Sequence, residues 1–165
     1  MSLIEPLLME MEQEAVATRR LLERVPSSQL GWKPHPKART LGQLASHVAT
    51  VPRGLSELLQ QDSYEAGGIP EREPESTEAL LALFDESMAA AKTNLARLSD
   101  DQMRSEWSLT RGGKPIFTLP RAAVIRMIVL NHVYHHRGQL STYLRTLDVP
   151  VPSVYGPTAD ENPFM

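Results

Sequence analysis

The 165-residue chain contains no cysteine. Disulfides, thiolate metal sites, iron–sulfur clusters and cysteine nucleophiles are thereby excluded, and a reducing cytoplasm is compatible with the absence. Charge of one sign is also scarce. The net charge is −3, whereas a dedicated nucleic-acid binder carries a strong basic excess, so nucleic acid is not an expected partner. Long apolar runs are missing too. The longest, Ala79 to Phe84, spans six residues, against the roughly 18 that would suggest a membrane span. Glu5 and Glu10 fall in the first ten residues, where a secretory leader needs basic residues and then an unbroken apolar stretch. The expected location is the cytoplasm, with no membrane partner. Aromatics are few, at 5%, but apolar residues reach 41% and charged residues 22%. That is an ordinary globular balance, and the length suits one domain over 1–165 with a sizeable core.

What the chain does have is helical periodicity. Leu3, Leu7, Met11, Ala15, Leu21, Leu22 and Val25 keep to one helical face, which predicts a helix over about 2–25, ending before Pro26. Residues 26–39 hold Pro26, Gly31, Pro34 and Pro36 and read as an irregular connector. A second helix opens at Thr40, with Gln43 placed to close a capping box, and buries Leu44, Val51, Leu55, Leu58 and Leu59. Pro52 is expected to kink or interrupt it near Thr50. An acidic loop with Gly67, Gly68, Pro70 and Pro74 covers 61–76. A third helix runs over about 76–98 on Leu80, Leu81, Phe84, Met88, Ala91, Leu95 and Leu98. Residues 100–119, with Gly112-Gly113 between Trp107-Ser-Leu-Thr and Pro115-Ile-Phe-Thr118, suggest a small hairpin. Pro120 suits the first turn of a fourth helix, which continues to about Leu147. The tail from Asp148 holds four prolines and no helical period. These elements predict an all-α four-helix bundle with long connectors and a small β-hairpin before the last helix.

The five histidines are His35, His47, His132, His135 and His136. At about 100° per residue, positions four apart lie about 40° apart on a helix. Ile128, His132, His136 and Leu140 therefore form one row, with Ile125, Tyr143 and Leu147 beside it. His47 shares its face with Leu44, Val51 and Leu58. Three inward histidines on two helices can converge on one metal ion and leave coordination positions open. The plainer alternative is a set of core histidines, each hydrogen-bonded to a neighbour, since unpaired buried imidazoles are costly. His135 lies about 80° off the row and belongs to its flank, although an i, i+3 pair with His132 would let it replace His136. His35, between two prolines, reads as structural or pocket-lining. Gln139 lies about 20° from His132, where it either lines a pocket or bonds a neighbouring helix.

Two segments carry a family resemblance. Trp32-Lys-Pro-His-Pro-Lys-Ala-Arg-Thr-Leu-Gly-Gln-Leu-Ala-Ser-His47 resembles the second-helix entry of the DinB/YfiT-like superfamily. Asn131-His-Val-Tyr-His-His136-Arg-Gly-Gln139 resembles its last-helix motif, and the Val149–Glu161 tail is similar to the ending of many members. The resemblance covers essentially the whole chain. It implies a four-helix bundle holding one divalent metal through His47, His132 and His136, often in a homodimer; the helical positions of His135 and Gln139 make them candidates for the pocket or for contacts to the ligands of such a site. It also implies a small-molecule substrate. Members include transferases that use low-molecular-weight thiols and proteins assigned as metal-dependent hydrolases; others have no assigned reaction. Imidazole ligands suit zinc and nickel alike, so the expected cofactors are one zinc or nickel ion and, for transfer, a small thiol.

No glutamate follows His132; Val133, Tyr134 and His135 separate it from His136. The built-in general base of His-Glu-x-x-His enzymes is therefore missing, which weakens hydrolysis more than thiol transfer. A base would have to come from His135, Tyr155, Asp160 or Glu161. The competing class is a non-catalytic metal-binding or stress-response module. Arg121, Arg126 and Arg137 spread around the last helix and form no phosphate-binding patch, and the acids Glu65, Glu71, Glu73, Glu75 and Glu78 read as a solvated loop and helix N-terminus.

Overall fold

A computed structural model describes residues 2–67 and 73–165. Gly68, Pro70 and Glu71 of the acidic loop lie outside the described residues. Four long helical elements form the bundle: α1 (Glu5–Leu22), α2 (Leu41–Leu58), α3 (Thr77–Ala96) and a composite last helix. The composite comprises α5 (Arg121–Val124), a π-helical turn (Ile125–Leu130) and α6 (Asn131–Thr146). The smaller elements are β1 (Ser63–Glu65), α4 (Asp100–Arg104), β2 (Glu106–Arg111) and β3 (Lys114–Pro120), plus a 3₁₀ turn at Ser27–Gln29.

Local chemistry explains most of the boundaries. α1 starts with a proline in its first turn, where the missing N–H costs nothing. At α2 the full capping box forms: Thr40 Oγ1 accepts from the Gln43 amide at 3.1 Å, and Gln43 Oε1 accepts from the Thr40 amide at 3.0 Å. Ser76 caps α3 through the Ala79 amide at 3.1 Å. Gly112 and Gly113 take φ of 59° and 71°, the left-handed pair that a tight hairpin turn requires. The expected hairpin is therefore present, and β1 adds to β2 in parallel, giving the order β1-β2-β3.

Four expectations need correction. α1 is shorter at both ends than 2–25. Pro52 does not end α2, which continues to Leu58; one lost helical bond there is tolerated because the helix packs tightly on α3 and the next amide, Arg53, donates to Ser87 Oγ at 3.0 Å. The 61–76 loop contains β1, and the segment before the hairpin contains α4, capped by Ser99 and Gln102. The last helix is interrupted by the π turn rather than continuous in phase.

The core falls into two clusters along the bundle axis. One gathers Met11, Val51, Leu55, Leu95, Met103, Trp107 and Val129, and the other Leu21, Leu22, Leu44, Val48, Phe84, Leu140 and Leu144. Each fully buried large side chain contributes about 1.5–3 kcal/mol. Arg121, almost wholly buried, joins the sheet side to the bundle: its guanidinium donates to the carbonyls of Gln102 and Gln61 and to Asp62, each at 2.9 Å. The helix α6 runs antiparallel to α2. His47 faces His132 and His136, while Arg39, just before α2, offers its carbonyl to the Tyr143 hydroxyl at 3.4 Å.

Candidate metal centre

His47 lies on α2 between Leu44 of one core cluster and Val51 of the other, and His136 lies on α6 between Val133 and Leu140 in the same relation. The site thus sits at the level where the two clusters meet. His132 occupies the α6 turn before His136. One ring nitrogen from each of His47, His132 and His136 lies within 4.8 Å of the other two. The Nε2 atoms of His47 and His132 are 3.1 Å apart. Ring centroids stand 4.5 Å apart for His47–His136 and 4.6 Å for His132–His136.

The triad is less central than the sequence pattern suggests. His136 is buried, but His47 and His132 are half-buried at the rim. On α2 the core takes Leu44, Ala45, Val48 and Ala49, and His47 sits one step round with Gln43 and Thr50. On α6 the most buried face carries Val133, Arg137, Leu140 and Leu144, while Tyr143, like Ile128 before it, is half-buried. Such a rim position leaves the rings partly hydrated and open to a ligand from outside.

The second nitrogen of His136 is also engaged. His136 Nδ1 lies 2.7 Å from Gln139 Oε1. Gln139 is exposed, and this bond ties it to the ring three residues before it on the same helix. For His132, burial first, and then the charges of His136, His135 and Arg39, push the pKa down to about 4. His132 is therefore neutral at physiological pH, as a ligand must be. Sequence reasoning missed Arg39, whose charge reaches the site; its place in the connector carried no periodic signal.

The remaining candidates have other roles or positions. His135 is exposed, its ring centroid 4.8 Å from that of His136, and its nitrogens do not join the triad. His35 Nδ1 accepts from the Lys37 amide at 3.1 Å in the connector. Tyr155 lies between Arg137, at 2.5 Å, and Glu14, at 2.8 Å. Asp160 pairs with Arg145 and accepts from the Val151 amide. Glu161 binds Arg20 at 2.6 Å. The Tyr134 hydroxyl donates to Glu10 at 2.8 Å, and burial together with that carboxylate raises its pKa well above the usual phenol value. Arg126 pairs with Glu10 and Arg137 with Glu14.

The donor set fits a small divalent cation. A tetrahedral ion with bonds of about 2.0–2.1 Å holds its donors roughly 3.3 Å apart, close to the His47–His132 spacing. Among the described residues the cluster stops at three ligands. The sequence model of the DinB superfamily matches residues 10–140, which include all three histidines. The chain belongs to the DinB superfamily. A DinB-type bundle is also what solved structures show: a DinB-like protein from Bacillus cereus ATCC 10987 superposes with a TM-score of 0.68 at 23% identity, covering 90% of this chain and 95% of that one. The DinB-like protein YjoA from Bacillus subtilis gives 0.70 at 17% identity, covering 91% and 98%. Among curated sequences, the uncharacterized protein YrdA of Bacillus subtilis strain 168 is 26% identical over 151 residues, 91% of this chain and 86% of its own. No helix among the described residues of this DinB protein is long and apolar enough to cross a membrane.

Proposed function

We propose that the protein holds one divalent ion, zinc or nickel, through Nε2 of His47, His132 and His136, and acts enzymatically on a small molecule. Transfer of a low-molecular-weight thiol is favoured over hydrolysis. The observation that carries the reading is the convergence of three ring nitrogens within 4.8 Å from two antiparallel helices, with no fourth ligand among the described residues. Three protein ligands leave room for an exogenous one, the arrangement of catalytic rather than structural sites.

When bound, the ion supplies Lewis acidity and lowers the pKa of a coordinated thiol or water. The residues decide which is the better substrate. His132 is neutral at physiological pH and presents a lone pair without prior deprotonation, and the His136 ring is braced by Gln139. No strong base stands ready: Tyr134 donates to Glu10, Tyr155 is held by Arg137 and Glu14, and Asp160 and Glu161 are paired with arginines. A free thiol loses its proton near pH 8.5, so it needs far less help than water. His135, exposed beside His136, is the group placed to receive that proton.

The test is reconstitution with zinc or nickel, elemental analysis, and turnover with 2-mercaptoethanol and an aryl chloride acceptor beside ester hydrolysis. About one ion per chain and thiol-dependent turnover are expected. Stoichiometric metal without turnover on either substrate supports the non-catalytic module; no bound metal removes the proposal.

A further inference from the structure

Gln139 is the residue whose placement the site explains best and whose exposure a structural role explains least. Its amide oxygen lies 2.7 Å from His136 Nδ1. An amide oxygen only accepts, so the ring nitrogen donates, and the His136 proton is fixed on Nδ1 with the lone pair on Nε2. One turn earlier, His132 Nε2 faces His47 Nε2 at 3.1 Å. His136 is thus held in one tautomer by an acceptor from its own helix.

The acceptor has a second property: an amide oxygen carries no formal charge. A carboxylate behind a metal-bound histidine raises ligand basicity and offsets the ion's charge. A neutral acceptor orients the ring without that offset, so an ion held there keeps more of its attraction for an anion.

We propose that Gln139 is a positioning residue of the metal site, one that sets the tautomer of His136 with a neutral acceptor so that the ion retains its pull on an anionic ligand such as a thiolate. The inference rests on the metal reading above. It assigns no contact between Gln139 and substrate.

Cobalt(II) titration followed by its visible spectrum, with 2-mercaptoethanol as the anionic probe, tests both halves. In Gln139→Leu, cobalt affinity falls about 10- to 100-fold, and ¹⁵N-histidine spectra of the metal-free protein show His136 moving from the Nδ1–H form to a mixture of tautomers. Gln139→Glu, still an acceptor, restores cobalt affinity and the Nδ1–H signal but binds 2-mercaptoethanol several-fold more weakly than the wild type. Because Gln139 is exposed, both variants keep the wild-type fold, and Gln139→Ala provides a second deletion of the acceptor. Wild-type cobalt affinity and an unchanged His136 signal in the Leu and Ala variants overturn the positioning role. Unweakened thiol binding in the Glu variant overturns the charge argument. Failure of the wild type to take up cobalt removes the metal reading itself.

Discussion

At the residue scale, the account turns on which imidazoles share an aim. His132 and His136 are one helical turn apart, and that spacing alone brings their rings to one side of α6, so the pair was legible in the sequence. His135 was equally legible as a flanking residue, and it is exposed. His136→Ala is therefore expected to lose more than about a hundredfold in metal affinity, beyond the 10–100-fold that loss of an outer partner costs. His135→Ala should retain binding, and isothermal titration of the two variants decides. Loss in His135→Ala with retention in His136→Ala would mean that the phase of α6 is misread. The pKa of His132 gives a second expectation. Its folded-state value of about 4 lies below the ordinary 6.5, so the unfolded chain binds the proton more readily between those pH values. Metal-free stability is then full above about pH 6.5 and declines as pH falls toward 4. The lowered carboxylates Glu10, Asp160 and Glu161 lose their contributions further down, below their own ordinary values. Thermal melts across pH 4–7 should show an acid limb that His132→Gln flattens; an unchanged limb contradicts the assignment. The half-buried state of His47 was not legible, because apolar spacing marks a face only to within a residue or so, and Leu44 and Val48 claim the core on either side of it.

At the element scale, the long helices announce themselves by period and caps. Thr40 with Gln43 gave the start of α2 outright, and Thr40→Ala should cost about 1 kcal/mol in a denaturant melt. Elements without such a signal stayed hidden. β1 has three residues and α4 has five, too short for any period to emerge. The π turn at Ile125–Leu130 has no composition of its own, and it breaks the phase between Ile125 and the histidines, so residues before it are poor guides to the face of His132. What fixes α6 against α1 is instead the Arg137 guanidinium. It reaches Glu14 at 2.7 Å and Thr18 Oγ1 at 3.1 Å, and lies over the rings of Tyr134 and Tyr155 at 5.2 and 5.0 Å. With the Arg137 side chain 3% exposed and that of Glu14 16% exposed, Arg137→Ala strands a carboxylate with little water. The expected loss is about 3–5 kcal/mol, read from urea melts; a change below about 1 kcal/mol would show that the network is not essential to the packing.

At the scale of the whole molecule, the metal reading links site to stability. An ion that binds only the folded chain stabilises it by about 2.7 kcal/mol at a hundred times its Kd, or roughly 5–10 °C in melting temperature for a chain of this size. Zinc should raise the wild-type midpoint by that much and leave His136→Ala unmoved. The homodimer that the DinB resemblance implies is a proposal, and the outer face of α1, with Met9 and Val16 exposed seven residues apart, is the face we propose for it. Light scattering at micromolar concentration should give the mass of two chains, and the mass of one would contradict it. The most direct test of the central claim is X-ray absorption of the zinc-reconstituted protein with its metal content measured on the same sample. The account predicts about one zinc per chain, coordinated by three imidazole nitrogens and one exogenous atom that changes from oxygen to sulfur on adding 2-mercaptoethanol. Absence of stoichiometric zinc, or a first shell in which the imidazoles persist after His47, His132 and His136 are all replaced by alanine, would contradict it.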